Sequence, residues 1–244
     1  MEIIENSNIK FDVNSSLEQW RVDSLLTKEP ETIAWIEHYA KGGGFFFDIG
    51  ANIGVYSLYA AKVNKDLQVF SFEPVRSNFQ SLLKNATINE FDNINVFNLA
   101  LSNSNTLSSM HIRDLRVGNS GAQLNTPIDE TGQSFKSQKI EKIVSFSIDF
   151  LVDTLNFPVP TFIKIDVDGH EKNIVSGLQS IIKNDNLKSI LIEFNSKDEQ
   201  YNLTKIIEQH SFIMDKRFND CPNHSGVRRD KNKSVARNVV FSRK

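Results

Sequence analysis

The sequence predicts an α/β protein built on a doubly wound, mostly parallel sheet of seven strands that closes with a terminal antiparallel strand. Two observations carry this reading. From residue 45 onward, short apolar runs alternate with segments of helical periodicity, the order produced when crossover helices join parallel strands. The first of those runs also ends in an acidic residue and a glycine-punctuated turn, FFFDIGANIG at 45–54, followed by the helix-like VYSLYAAKV. With 244 residues and 39% hydrophobic content the chain can bury one substantial core, and it reads as a single domain, 1–244, with a helical N-terminal extension at 1–44 and an insertion at 105–147.

The extension predicts two short helices, near 16–26 and 30–39. In the second, Pro30 suits the first turn, Glu31 favours the positive end, and Ile33, Ile36 and Tyr39 share one face. Gly42, Gly43 and Gly44 break that pattern ahead of the first core strand at 45–48. Further strands are predicted at 69–73, 94–98, 161–166 and 189–194, with helices at 54–63, 77–89, 172–183 and 203–210. Between 105 and 146 the rhythm fails. Serines, glycines, Asn125-Thr126-Pro127 and the alternating KIEKIVSFSI predict a hairpin excursion or a cover over the sheet edge. Segments 211–215 and 238–242 predict the terminal antiparallel pair, joined by a polar, basic loop.

Charge and cysteine content narrow the function classes. Residues 1–214 carry 19 basic and 27 acidic side chains and residues 215–244 carry nine and three, so a formal net charge of −2 divides into −8 and +6. The average surface gives no reason to invoke nucleic acid, while the basic tail suits a solvated surface or part of an anionic-substrate site. The single cysteine, Cys221, cannot form an intrachain disulfide, and no apolar run reaches the roughly 18 residues of a membrane span. The acidic start, MEIIENSNIKFD, lacks the order of a secretory signal, so a cytoplasmic location is the expectation. Oligomeric state is not legible, because a symmetric interface leaves no periodicity.

The strand, tight turn and helix at 45–63 place backbone N–H groups and a carboxylate around something small and polar. Glu73 ends the second strand, about 20 residues further on, where a ribose-binding acid sits in doubly wound nucleotide folds. A dinucleotide turn requires G-x-G-x-x-G, but here the order is Asp48-x-Gly50-x-Asn52-x-Gly54. Asn52 occupies the position where a pyrophosphate needs close backbone approach, a poor fit to NAD.

Four segments, FFDIGANIG at 46–54, FEP at 72–74, KIDVDGHE at 164–171 and ILIEF at 190–194, resemble the signatures of the FkbM-like group of class I S-adenosylmethionine-dependent methyltransferases. The likeness spans roughly residues 29–194 and begins with Glu29-Pro30-Glu31-Thr32. It implies a Rossmann-like fold and S-adenosyl-L-methionine as cofactor. Carried onto this chain, it gives Asp48, Gly50, Asn52 and Gly54 the methionine end and Glu73 both ribose hydroxyls. The alternative for Glu73 is a cap on the helix after Pro74. Adenine is expected near the end of the third strand, where Asn98 could bond its edge and Leu99 pack on its face. Asn98 could equally close a turn.

Lys164, Asp166, Asp168, His170 and Glu171 crowd the end of the fourth strand, too many ionisable groups for packing alone. Transfer from a sulfonium to a hydroxyl needs the proton removed as attack proceeds. His170 is the candidate base, with Asp166 or Asp168 holding its tautomer or the acceptor and Asp166 also bordering the cofactor. The bland alternative makes His170 a helix-start residue bonded to backbone. These acids could hold Mg²⁺ or Ca²⁺, but their spacing matches no recognised loop, so a divalent cation is not favoured. Lys164, Glu171 and Glu193 are substrate-site candidates, Glu171 doubling as a helix N-terminal acid and Glu193 as a site wall. Arg228 and Arg229 are candidate anchors for an anionic acceptor, weighed against a merely solvated loop. The resulting expectation is an O-methyltransferase acting on a hydroxyl of a sugar, glycan or secondary-metabolite intermediate. N-methylation of a small amine, an NAD-dependent oxidoreductase and a non-catalytic cofactor-binding protein are the alternatives.

Overall fold

The computed structural model describes residues 2–221, 224–225 and 237–244. The chain opens with a hairpin absent from the sequence reading, β1 (Glu2–Asn6) and β2 (Ile9–Val13), turned by Ser7 and Asn8 at φ 55° and 54°. Helices α1 (Ser16–Asp23) and α2 (Pro30–Ala40) follow, the first capped by the Ser15 hydroxyl, which accepts from the Glu18 N–H. The hairpin was hidden because β2 buries Ile9, Phe11 and Asp12 alike, which blurs its alternation. Asp12 and its backbone are received by Lys84 and by the Asn85 amide oxygen on a distant helix.

The central sheet is then assembled: β3 (Gly44–Ile49), α3 (Val55–Val63), β4 (Leu67–Phe72), α4 (Arg76–Ile88) and β5 (Ile94–Phe97). The insertion contributes β6 (Ala100–Leu101), β7 (Thr106–Ile112), β8 (Gln123–Leu124) and β9 (Lys139–Phe146), paired in the order β6-β9-β7-β8. The expected hairpin is the antiparallel β7–β9 pair of a small four-stranded sheet. After α5 (Ile148–Asp153) come β10 (Phe162–Ile165), α6 (Glu171–Ser176), β11 (Ser189–Phe194), α7 (Lys197–Glu208), β12 (Phe212–Met214), α8 (Lys216–Asn219) and β13 (Arg237–Arg243).

Seven strands order as β12-β13-β11-β10-β3-β4-β5; β3, β4, β5, β10 and β11 run parallel, and β13 is antiparallel to both β11 and β12. The helix expected over 172–183 ends at Ser176, and only a 3₁₀ turn, Ile181–Lys183, follows. Gly177 explains the break. Its backbone passes so close to the Ser102 carbonyl that a Cβ there would sit 2.2 Å away, and its own carbonyl accepts the Asp149 N–H.

Alternation along the strands sorts two apolar layers. On one face Phe46 stacks on Phe162 with ring centroids 4.5 Å apart, and Trp35 of α2 meets both rings edge-on while its indole N–H donates to Ser189 Oγ. On the other face Phe47, Ile49, Ile163, Ile165, Ile190 and Ile192 pack with Leu203 and Ile207 of α7. The carboxyl ends of the parallel strands carry the turns that build the site. No helix among the described residues is long and apolar enough to cross a membrane.

Candidate active site

A cavity of about 350 Å³ opens at the carboxyl ends of β3, β4, β10 and β11, within the roughly 300–1,000 Å³ of small-molecule sites. Its floor comes from the strand-end turns. Its roof comes from α1 and from the 119–124 segment of the insertion.

On the floor, Gly50 sits at φ +79°, and a Cβ there would lie 1.9 Å from the Asp166 carbonyl, so only glycine lets the β3 and β10 turns touch. Asn52, also at positive φ, donates its N–H to Glu73 Oε2 at 2.8 Å, while Val75 N–H meets Glu73 Oε1 at 2.8 Å. Glu73 is only 4% exposed and lines the cavity. Burial pushes its carboxyl up to about 7 although both N–H groups and the Arg21 charge pull the other way. Each carboxylate oxygen keeps one acceptor site for a ligand hydroxyl. Gly54 is a packing glycine: it starts α3 at φ +90°, and a Cβ would meet Leu82 Cδ1 at 2.1 Å.

Besides Gly54, two further residues expected at the cofactor do not line the cavity. Asp48 does not border the cavity, because strand alternation turns it under α3, where its Oδ2 accepts from Ser57 Oγ at 2.5 Å. Asn98 spends its amide on the carbonyls of Glu73 and Pro74 at 2.9 and 3.0 Å, which makes it the turn closer, while its neighbour Leu99 lines the cavity.

Lys164 is the register partner of Asp48 across β10 and β3 and is 2% exposed. Its Nζ lies 2.9 Å from Asp166 Oδ2 and 3.6 Å from Asp48 Oδ1. Burial opposes its charge, but Asp166, Asp48 and Glu29 outweigh it and hold the ammonium above the ordinary lysine range. Lys164 therefore lies beneath the cavity and does not border it. Asp166 does border it; burial favours its neutral form, yet Lys164 and Lys28 hold it below the usual carboxylate range. Asp166 is thus an anion fixed at the floor.

Asp168 and Glu193 reach the same place. Oxygens of Asp166, Asp168 and Glu193 lie within 4.8 Å of one another, a donor set that could hold a hard cation, although Lys164 already occupies Asp166 Oδ2. Asp168, at φ 57°, accepts the Gly121 N–H on Oδ2 at 2.9 Å and the Gln123 amide on its carbonyl at 2.6 Å. Burial, then Asp166, raises its carboxyl.

His170 borders the cavity at the start of α6, but both ring nitrogens have partners. Nδ1 lies 3.2 Å from the Asn173 amide nitrogen and Nε2 3.0 Å from Ser102 Oγ. The same amide nitrogen lies 3.4 Å from Nε2, and burial lowers the imidazole toward neutrality. Glu171 is fully buried and turned inward: it accepts from the N–H groups of Val167 and Gly169 and is pushed up to about 8 by burial and by Glu199. Arg228 and Arg229 lie outside the described residues.

Sequence reasoning missed the roof. Asn119 accepts amide protons from Asn52 and Asn78 through its carbonyl, Gly121 and Gln123 hold Asp168, and Arg21 and Lys28 reach the cavity from the N-terminal segment. Only the glycines at 118 and 121 hinted that this polar stretch makes close backbone approaches.

A seven-stranded sheet with an antiparallel β13 beside β11, and a cavity at the parallel strands' carboxyl ends, defines a class I, Rossmann-like methyltransferase fold. Solved structures agree on the fold. The METTL16 methyltransferase domain overlays with a TM-score of 0.55 at 13% identity, covering 96% of this chain and 73% of that one. A SAM-dependent methyltransferase from Agrobacterium tumefaciens gives 0.50 at 8% identity, with 86% and 57% covered. The sequence profile described as Methyltransferase FkbM domain matches residues 48–221, and the chain belongs to this FkbM methyltransferase family, an S-adenosylmethionine-dependent enzyme class. Among curated relatives, it is 24% identical over 207 residues to the hexuronic acid methyltransferase AglP of Haloferax volcanii, spanning 82% of this chain and 76% of the relative. It is 23% identical over 146 residues to Methyltransferase 1 of Beauveria bassiana, spanning 55% and 58%.

Proposed function

We propose that the protein transfers a methyl group from S-adenosylmethionine to a hydroxyl of a sugar or glycan acceptor. The observation that carries this reading is the convergence of Asp166, Asp168 and Glu193 on the β10–β11 side of the cavity, with β3 between them and the β4 strand that ends at the ribose-suited carboxylate Glu73. A likeness to a hexuronic acid methyltransferase supports a carbohydrate acceptor.

When bound, the cofactor supplies an electrophilic methyl carbon on a sulfonium. Glu73 accepts the ribose hydroxyls with the lone pairs left by Asn52 and Val75. Leu99 and Leu101, with Met110 and Leu124 of the insertion, give the adenine an apolar bed. Asp166, kept ionised by Lys164, presents negative charge beside the reacting centre. Asp168 and Glu193 accept from the acceptor hydroxyl, orient its oxygen and receive its proton as attack proceeds. Aligned carboxylates suit hydroxyls, each such charge-assisted bond contributing about 1.5–3 kcal/mol. His170, with both nitrogens engaged, positions the start of α6.

The test is mass-detected methyl transfer to a panel of neutral and acidic nucleotide sugars and oligosaccharides, with small amines as the competing arm and EDTA as a control. Transfer to amines alone, or binding of NAD in place of S-adenosylhomocysteine, would overturn the reading.

A further inference from the structure

One charge on the cavity wall is not used by the floor. Arg21 stands in the last turn of α1, half-buried, and borders the cavity beside Trp20 and Lys28. Its Nε donates to the Gly118 carbonyl at 2.5 Å, which fixes the plane of the guanidinium and leaves the terminal nitrogens to other partners. Among the described residues no carboxylate lies within 4.0 Å of it, whereas Lys28 pairs with Glu29 at 2.5 Å and is drawn toward Asp166 and Glu193. Arg21 acts electrostatically on both Glu73 and Asp168, lowering each carboxyl against the effect of burial. It also borders a second, small cavity together with Val55, the first residue of α3.

Apart from Lys28, which pairs with Glu29, the other charges of the wall are the wrong sign for an anion. Glu73, Glu130, Asp166, Asp168 and Glu193 face the cavity. That set suits the sulfonium and ammonium of the cofactor proposed above, on which this inference rests, but repels a carboxylate. A guanidinium fork held by one bond to backbone is matched to two carboxylate oxygens.

We infer that Arg21 is a carboxylate anchor, whose fork takes a ligand carboxylate at the α1 wall of the cavity. Two ligands supply such a group: the amino-acid tail of the methyl donor and an acidic sugar acceptor. Both would be read by the same fork, and binding measurements tell them apart.

Calorimetry of wild type, Arg21→Gln and Arg21→Lys with S-adenosylhomocysteine and with 5′-methylthioadenosine, which lacks the amino-acid tail, is the decisive experiment. For the donor carboxylate, Arg21→Gln weakens S-adenosylhomocysteine at least tenfold, leaves 5′-methylthioadenosine within twofold, and Arg21→Lys lies between. For the acceptor carboxylate, both ligands hold within twofold while KM for a hexuronate acceptor rises at least tenfold and KM for its neutral hexose counterpart does not. Loss of both ligands alike would assign Arg21 to holding the Gly118 segment and overturn the anchor, as would no change in any of these quantities. Wild-type protein that binds neither ligand would overturn the cofactor reading itself, and the anchor with it.

Discussion

The floor and the roof of the cavity are held by different kinds of contact. Floor residues are fixed by neighbours in and just beyond the sheet: Lys164 opposite Asp48 in register, Asp166 one residue past the end of β10, Asn52 N–H on Glu73. Roof residues are fixed by polar contacts across the chain. Arg21 to Gly118, Asn52 to Asn119, Gly118 to Asn78, and Gly121 and Gln123 to Asp168 join positions 40 to 97 residues apart. A floor of backbone turns apposed by sheet register is intolerant of change. A roof of long-range hydrogen bonds can be altered one bond at a time, each typically contributing about 0.5–1.5 kcal/mol.

The strongest break of the floor is Gly50→Ala. With a Cβ 1.9 Å from the Asp166 carbonyl and φ at +79°, the β3 and β10 turns must part, and we expect loss of cooperative thermal unfolding or a Tm lower by 10 °C or more, on the order of several kcal/mol. A variant that melts like wild type would show that the two turns are not rigidly apposed.

Glu73→Gln comes next. It should weaken S-adenosylhomocysteine at least tenfold, about 1.4 kcal/mol. Because burial raises the Glu73 carboxyl to about 7, it is mostly protonated at pH 6 and ionised at pH 8, so wild-type affinity should rise across that window. Calorimetry at the two pH values checks the sign: the Gln variant should show a flatter profile, and equal slopes would remove Glu73 from the ribose site.

His170→Ala sharpens the boundary between floor and roof. His170 joins α6 to Ser102, just beyond the β6 strand of the insertion sheet, and offers no nitrogen to a ligand proton. We expect kcat to fall less than tenfold with the shape of its pH profile kept. A hundredfold loss accompanied by disappearance of the acid limb would restore His170 as the base.

The smallest effect concerns Glu171, the buried support of the 167–169 turn. Its carboxyl, raised to about 8, holds in the folded state a proton that the unfolded chain releases near 4.5. The stability it contributes is present below about 4.5 and is lost as pH rises through about 8. Glu171→Gln removes that titration, so the Tm difference, variant minus wild type, should grow by a few degrees between pH 5 and 9. A constant difference would mean that Glu171 titrates normally.

Much of the floor was legible because its signals are short-range. The apolar run ending in Asp48-Ile49-Gly50, Glu73 after β4, and the acids after β10 each stand on one strand–turn unit, whose periodicity and glycines are visible without a partner. Lys164 on an apolar strand left open an ammonium that is paired or one that reaches solvent, and its pairing with Asp48 was not legible, since register across β10 and β3 is a property of the assembled sheet. The same limit turned Asp48 under α3 and gave Asn98 to the Glu73–Pro74 turn.

The sequence by itself therefore determined the order of the parallel core strands, the glycine turn and the acid that follows it, because these depend on side-chain period and on backbone conformations that few residues tolerate. Tertiary structure alone decided that Glu171 faces inward, that His170 has both nitrogens occupied, that Arg21 bonds to Gly118 and that the 119–124 segment holds Asp168. The bonds from Arg21 to Gly118, Ser102 to His170 and Gly121 to Asp168 join residues tens of positions apart in polar, aperiodic segments, and such pairings leave no trace in the chain until the sheet has brought their partners together.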